Sequence, residues 1–259
     1  MWIKQFLICL LAGAGAGIST GFAGLSAAAF ITPILVGFLD VPVYEAVGIA
    51  LASDVLASAF STITYARQGN IDLKKGRPLF LTVVIYAILG SIIAYFLTRG
   101  VVGDTIFGYW AIIACIVLGI TFLFRKAEHE PREIKHPRVQ ALMIILSGAY
   151  IGLICGFQGT GGGMMMLFVL TAIMQFEFRS AVGTSLFIMT FTALIGAITH
   201  FAINGMPDIS PLTLCMFSTL LFAQIAAYLA QRLKPRLLYF ITGGLLIISG
   251  VATLIGKIL

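Results

Sequence analysis

Hydrophobic residues in this chain form long runs separated by short polar connections, the pattern of a helical membrane protein. A bilayer core about 30 Å thick needs roughly 20 apolar helical residues to cross it. Ten apolar segments reach or approach this length, at residues 3–20, 22–39, 43–66, 77–98, 102–124, 138–155, 159–175, 179–203, 210–230 and 235–258. The pattern predicts an all-α polytopic membrane protein with about ten membrane segments. Segments one, two, six and seven are short and are joined by glycine-rich turns, so we expect half-helices or re-entrant pairs there.

The two halves of the chain match at an offset of 135 residues. The matched positions are Gly13, Gly17, Gly21, Phe22 and Gly24 with Gly148, Gly152, Gly156, Phe157 and Gly159; Ala46-Val47-Gly48 with Ala181-Val182-Gly183; and, after a two-residue slip, Ala94-Tyr95 with Ala227-Tyr228. Each unit holds five segments, an odd number, so the second copy enters the membrane with opposite polarity. We therefore predict a first repeat over residues 1–124, a cytoplasmic linker over 125–138 and a second, inverted repeat over 139–259.

The distribution of basic residues predicts the orientation. One face of the predicted topology carries Arg67, Lys74, Lys75, Arg77, Arg125, Lys126, Arg132, Lys135, Arg138, Arg179, Arg232, Lys234 and Arg236, whereas the other carries Lys4, Arg99 and Lys257. Because short cytoplasmic loops are enriched in Lys and Arg, the first face is predicted to be cytoplasmic and both termini periplasmic. The first segment resembles a signal peptide, but its counterpart in the second half indicates that it belongs to the fold.

Composition narrows the functional classes. Hydrophobic residues make up 60% of the 259-residue chain and charged residues only 10%, far from the average of soluble domains. The formal charge of +6 comes from short loops, which suits an anionic lipid surface rather than nucleic acid. The four cysteines lie inside apolar runs without metal-ligand spacing, so we expect no disulfide, metal or cofactor.

Two glycine-rich turns are the candidate substrate contacts. Each follows a stripe of glycines spaced four apart, which either serves helix packing alone or also brings the repeats together around a substrate path. An irregular backbone at membrane depth is tolerated where protein or a wet cavity satisfies it, and a helix starting there points free N–H groups at an anion. The predicted contacts are Gly24, Ser26, Gln158, Gly159, Thr160, Gly161, Gly162 and Gly163, with Thr184 and Ser185 from the polar eighth segment.

Two titratable residues in the polar third and eighth segments are candidates for coupling or gating. Asp54 lies near the centre of its segment, where a carboxylate costs about 2.5–3.5 kcal/mol on insertion scales. It is a proton acceptor, a partner for a basic group, or a protonated structural residue. His200 lies near the outer end of its segment, where it is either an interfacial anchor or part of a gate.

The sequence resembles the sulfite exporter TauE/SafE family of membrane permeases. The resemblance rests on Gly159-Thr160-Gly161-Gly162-Gly163, on Ala181-Val182-Gly183-Thr184-Ser185-Leu186 and on the two-fold repeat, and it covers nearly the whole chain. It implies a bacterial inner-membrane carrier for sulfite or small organosulfur anions such as sulfonates. The sequence departs from the family pattern at Gly24-Leu25-Ser26-Ala27-Ala28, where the glycine run is less dense, and at Phe168, the counterpart of Pro33.

These features favour a secondary transporter over an enzyme, because neither a nucleophile–base motif nor a metal cluster is present at membrane depth. The leading hypothesis is export of a small sulfur-containing anion by alternating access between the inverted repeats. Moving one negative charge out of a negative interior releases roughly 2.3 kcal/mol per 100 mV, so export needs no coupling ion. The alternatives are proton-coupled import of such anions, with Asp54 as the proton site, and an anion channel. The sequence does not determine the oligomeric state.

Overall fold

The described part of this computed structural model comprises residues 2–97, 116–117, 119–124, 137–158 and 162–258, and it is helical apart from short turns. The helices are α1 (Trp2–Ala23), α2 (Ala28–Leu39), α3 (Val43–Arg67), α4 (Leu73–Leu97), α5 (Pro137–Gln158), α6 (Gly163–Phe168), α7 (Phe178–Asn204), α8 (Ile209–Ala230) and α9 (Pro235–Ile258). A π-helical turn, Val169–Ile173, continues α6. The all-α prediction is confirmed. Most of the predicted fifth segment and of the 125–138 linker lies outside the described residues.

Six helices within the described ranges are long and apolar enough to cross a membrane: Trp2–Ala23, Glu45–Arg67, Leu73–Ile93, Arg138–Gly156, Phe178–Ile203 and Ile209–Ala230. The expectation that the first and sixth segments are short is therefore wrong, because α1 and α5 each have 22 residues. The second and seventh segments are short, as predicted, with 12 residues in α2 and an apolar helical stretch at Gly163–Ile173. The long α1 is thus followed by Gly24 and the short α2, and the long α5 is followed in the chain by Gly162 and the short α6.

The glycine stripes lie in two matching helix pairs, α1 on α8 and α5 on α4. A Cβ built on Gly17 would lie 2.8 Å from the Ala223 nitrogen, and one on Gly152 would lie 2.9 Å from the Ala87 nitrogen. Real Cβ atoms do not approach other atoms this closely. Glycine is needed here because the neighbouring backbone occupies the space of a side chain.

The contacts of the two stripes correspond residue by residue. Gly13 and Gly148 face Ser218 and Thr82, Gly17 and Gly152 face Phe222 and Tyr86, and Gly21 and Gly156 face Ala227 and Ser91. The partners on α8 and α4 are thus offset by 136 residues. The sequence comparison aligned Ala94 with Ala227, an offset of 133, and that register is wrong for these helices. Small residues are so frequent in both that sequence alone leaves the register open.

One end of the molecule gathers the basic loops, and we call it the basic end. The Asn70 side-chain amide donates to Gln231 Oε1 at 2.6 Å, and the Lys75 ammonium donates to the Gln175 carbonyl at 3.0 Å. Arg179 donates to the Leu233 carbonyl. At the other end, which we call the opposite end, the Asp208 N–H donates to Glu45 Oε1 at 2.7 Å. The loops before α3 and α8 therefore share one end, and those before α4, α7 and α9 share the other.

Helices α3 and α7 pack against each other in the centre. Their packing relies on close approach, since a Cβ on Gly183 would lie 3.0 Å from Tyr65 Cβ and one on Gly48 would lie 3.1 Å from the Phe201 ring. Leu51 and Ala193 are fully buried between the two helices. This central pair holds the side chains that reach the two turns.

Candidate functional site

The first turn begins where Gly24 ends α1. Gly24 has a φ of +64°, and its N–H donates to the Thr20 carbonyl at 2.8 Å. This bond is that of an αL helix cap, and the Leu25 N–H also donates to the Ser19 carbonyl at 3.4 Å. A left-handed conformation suits glycine because a side chain would clash there. The turn therefore has a defined geometry deep within the protein.

Asp54 of α3 closes the start of α2. Its Oδ2 accepts the Ser26 hydroxyl at 2.6 Å, and its Oδ1 accepts the Ala27 N–H at 2.7 Å. Asp54 is fully buried, and its carboxylate accepts no further hydrogen bond from the described residues. A carboxylate at a helix N-terminus satisfies donors that the helix leaves free and interacts favourably with its dipole. The sequence suggested three roles for Asp54, and this geometry adds a fourth, because the carboxylate caps the first turn where α2 begins.

The second turn meets the first. A Cβ built on Gly163 would lie 3.0 Å from the Gly24 carbonyl carbon and closer still to its oxygen, and 2.9 Å from Met189 Sδ. Gly162, with a φ of +63°, precedes the start of α6. The two turns therefore touch through backbone at a place where no side chain fits between them.

Ser185 completes this arrangement from α7. A Cβ on Gly24 would lie 2.6 Å from Ser185 Oγ, so that hydroxyl lies directly against the first turn. Ser185 also donates to the Val182 carbonyl at 2.9 Å. We call the assembled site the turn junction, and it consists of Gly24–Ala27, Gly162, Gly163, Asp54, Ser185 and Met189.

The other predicted site residues lie elsewhere or outside the described part. Thr184 lies beside Gly76, and its Oγ1 accepts the Asp72 N–H at 3.2 Å near the basic end. His200 lines a cavity of about 210 Å³ at the opposite end, together with Glu45 and Asp208. Gln158 is the last residue of α5. Gly159, Thr160 and Gly161 lie outside the described residues.

A polar stripe continues from the turn junction along α3. The Ser58 hydroxyl donates to the Asp54 main-chain carbonyl at 2.6 Å and lies 2.9 Å from Thr190 Oγ1 of α7. One turn further, Ser61 is fully buried, and its hydroxyl has no hydrogen-bond partner among the described residues. Unpartnered buried hydroxyls are costly and need an explanation such as water or a passing ligand. The stripe extends from Asp54 toward the basic end.

Sequence reasoning missed Met189, Cys155 and Tyr65. Met189 could have been found from the sequence, because the offset of 135 residues makes it the counterpart of Asp54 in the second half. A thioether there replaces the carboxylate. Cys155 lies against Gly162. The Tyr65 hydroxyl donates to the Gly21 carbonyl at 3.0 Å and so ties α3 to the end of α1. Neither of these contacts leaves a signal in the sequence.

The turn junction contains hydroxyl and main-chain N–H donors and no basic side chain. Hydroxyls and main-chain N–H groups bind small oxyanions without the cost of burying a basic side chain. The one acid, Asp54, is engaged with two of these donors. Among the residues that the structure describes, no group of three metal-ligating side chains occurs.

Within the described residues, six apolar helices of spanning length, the short helices α2 and α6 and a buried polar junction between two turns are the features of a multi-pass membrane protein. The chain belongs to the sulfite exporter TauE/SafE family, whose match covers residues 9–253. It is similar to the probable membrane transporter proteins YtnM, YdhB and YunE of Bacillus subtilis (strain 168). Identity to YtnM is 26% over 262 residues, covering 98% of this chain and 84% of YtnM. Identity to YdhB is 24% (82% and 84% covered) and to YunE 25% (76% and 78% covered).

Proposed function

We propose that the protein carries small sulfur-containing anions, sulfite or organosulfur anions such as sulfonates, across the bacterial inner membrane. The observation that supports the proposal is the turn junction, where the backbones of two turns meet beside the hydroxyls of Ser26 and Ser185 at the centre of the protein. The matching contacts of the α1–α8 and α5–α4 pairs support two inverted repeats. In such carriers the substrate site lies at the repeat interface, and rocking of one repeat against the other exposes it alternately to each side.

The charges at the two ends of the protein and the membrane potential favour outward movement of the anion. The basic end, which we place in the cytoplasm, raises the local concentration of anions. The opposite end, with both chain ends, would then face the periplasm, and its cavity carries Glu45 and Asp208. The membrane potential adds roughly 2.3 kcal/mol per 100 mV for each uncompensated negative charge that leaves the cell.

Proton-coupled import of the same anions is the second candidate, and the position of Asp54 favours it. A buried carboxylate that holds substrate-facing donors is suited to exchange a proton when those donors are used. The two candidates differ in their response to voltage and to pH.

The orientation predicts which loops react from outside. A single cysteine replacing Lys74 should be protected from a membrane-impermeant maleimide in intact cells, whereas one replacing Asp208 should be labelled. The reason is the asymmetry of basic residues between the two ends. Disrupted cells provide the control, since both sites should react there. Labelling of the Lys74 site in intact cells would rule out the proposed orientation.

Ligand stabilisation tests the substrate class. Sulfite, an alkanesulfonate and a thiocarboxylate should raise the Tm of the purified protein in a concentration-dependent manner, because a ligand that binds only the native state adds about 2.7 kcal/mol at a hundred times its Kd. Acetate and chloride at equal ionic strength are the controls. A response to chloride equal to that of every sulfur compound would contradict the proposed specificity.

A further inference from the structure

Asp54 and a bound anion require the same hydrogen-bond donors. The Ser26 hydroxyl has one proton to donate, and the structure places it on Asp54 Oδ2 at 2.6 Å. The Ala27 N–H points at Asp54 Oδ1 at 2.7 Å. If Ser26 contacts the substrate, as proposed, it must release the carboxylate first. The inference below rests on that proposed function.

The released carboxylate would lose both of the partners that compensate its charge. Hydrogen bonds to an ionised acceptor are about twice as strong as neutral ones, so Ser26 and Ala27 compensate the charge of the carboxylate while they hold it. Without them, the group is a buried acid at membrane depth, next to an incoming negative charge. Both desolvation and like charge favour the protonated form.

Other ionisable groups on the surrounding elements lie away from this carboxylate. On α3 itself, Glu45 precedes Asp54 by nine residues and Arg67 follows it by thirteen, about 13 and 20 Å along a helix. The Tyr65 hydroxyl is bonded to Gly21. The remaining titratable side chains on the described helices around α3 are Lys4 and Cys9 on α1, Arg179 and His200 on α7, and Cys215 and Tyr228 on α8, while α2 has none. Asp54 is thus the acid placed to respond to the anion.

We propose that Asp54 is a positioning residue whose carboxylate occupies the donors of the first turn in the empty carrier, and that substrate binding displaces it with the uptake of one proton. The anion takes the Ser26 and Ala27 donors, and the proton is held on an Asp54 oxygen. The counterpart of Asp54 in the second half is Met189, which has no carboxylate. The replacement of a carboxylate by the anion therefore occurs in the first half only. Anion and proton together carry no net charge, so this exchange belongs to the proton-coupled candidate and not to voltage-driven export.

A cavity at the opposite end lies on the side from which a proton could approach Asp54. The cavity of about 210 Å³ that contains Glu45, His200 and Asp208 reaches inward to Gly48. Gly48 precedes Asp54 by six residues, about 9 Å along α3. The Phe201 ring lies against Gly48 and separates the cavity from the deeper part of the helix. Proton access from this side would require the ring to move.

The test measures anion binding and proton uptake together. The probe is ethanesulfonate, which stays singly charged between mildly acidic and mildly basic pH, unlike sulfite. Binding to the purified full-length protein is followed by calorimetry in two buffers that differ in ionisation enthalpy, which yields the number of protons taken up. Because one proton accompanies one anion, wild-type affinity should fall about tenfold for each pH unit between the pH at which Asp54 ionises in the empty protein and the higher pH at which it ionises in the complex.

Asp54→Asn should bind ethanesulfonate with an affinity independent of pH and without proton uptake, because the amide keeps the shape and removes the titration. Ser58→Ala is the matched control, since it removes a hydroxyl one helical turn away and should retain the wild-type pH dependence. If Asp54→Asn does not fold, proton uptake by the wild type decides the matter alone. Binding by the wild type without proton uptake, or pH dependence that persists in Asp54→Asn, would overturn the inference while leaving the proposed substrate class intact. Absence of binding at every pH in both proteins would overturn the proposed function and the inference with it.

Discussion

Replacing Gly163 with valine should abolish transport while the protein remains inserted in the membrane. A Cβ at this position would collide with the Gly24 carbonyl and lie 2.9 Å from Met189 Sδ. The methionine side chain can move, but the Gly24 carbonyl belongs to a turn that the hydrogen bonds of the Gly24 and Leu25 N–H groups to α1 hold in place. The two turns must therefore separate, and the hydrogen-bond donors of the turn junction no longer lie close enough together to bind one anion.

The matched control is Gly37→Val in α2, where no atom lies within 4 Å of an added Cβ. Uptake of labelled sulfite into proteoliposomes should be near wild type for this variant and at background for Gly163→Val. Gly163→Ala should fall between them. Wild-type uptake by Gly163→Val would remove the contact between the turns from the transport mechanism.

Gly156→Val should cause the largest loss of stability. Its Cβ would overlap the Ala87 carbonyl and lie 2.7 Å from the Ser91 nitrogen, so that α4 and α5 can no longer pack at their present separation. Overpacking of a well-packed interior costs typically about 1–3 kcal/mol, and here the obstacle is backbone, which cannot rotate away. We expect a loss at or beyond the upper end of that range, seen as a lower Tm in detergent.

The equivalent change, Gly21→Val, should produce a loss of similar size, because the corresponding atoms of Ala223 and Ala227 face it on α8. Gly244→Val in α9 is the control, since nothing lies within 4 Å of its added Cβ. A Tm for Gly156→Val equal to that of Gly244→Val would contradict the packing described here. Unequal losses at Gly21 and Gly156 would argue against equivalent halves.

The ends of a helix were predictable from the sequence where the length of a hydrophobic run determines where the helix begins and ends. The predicted segments 43–66, 179–203, 210–230 and 235–258 differ from the observed helices by at most one residue at either end. The ends of α1 and α5 were misjudged, because glycine and small polar residues near Gly21 and Gly156 looked like turns. In a membrane helix, such residues are instead the surface on which another helix packs.

The turn junction was predictable only in part. Glycine density pointed to the two turns, and the cost of a buried carboxylate pointed to Asp54. That Asp54 binds Ser26, 28 residues earlier, depends on how α3 packs beside the first turn, and no local pattern encodes it. Adjacent residues show the same limit: Ser185 reaches Gly24, whereas Thr184 turns toward Asp72. A helix places neighbouring side chains on different faces. The polarity of Thr184 and Ser185 alone therefore did not show which of them reaches the turn junction.

Counterflow in proteoliposomes tests the central claim most directly. Vesicles containing the purified protein are loaded with unlabelled sulfite and diluted into a trace of labelled sulfite. A carrier that alternates between two sides should accumulate label transiently above equilibrium, and the accumulation should saturate with substrate and be absent from vesicles with Gly163→Val. Label that enters without overshoot, in proportion to its concentration and regardless of internal sulfite, would indicate a channel and contradict alternating access at the turn junction.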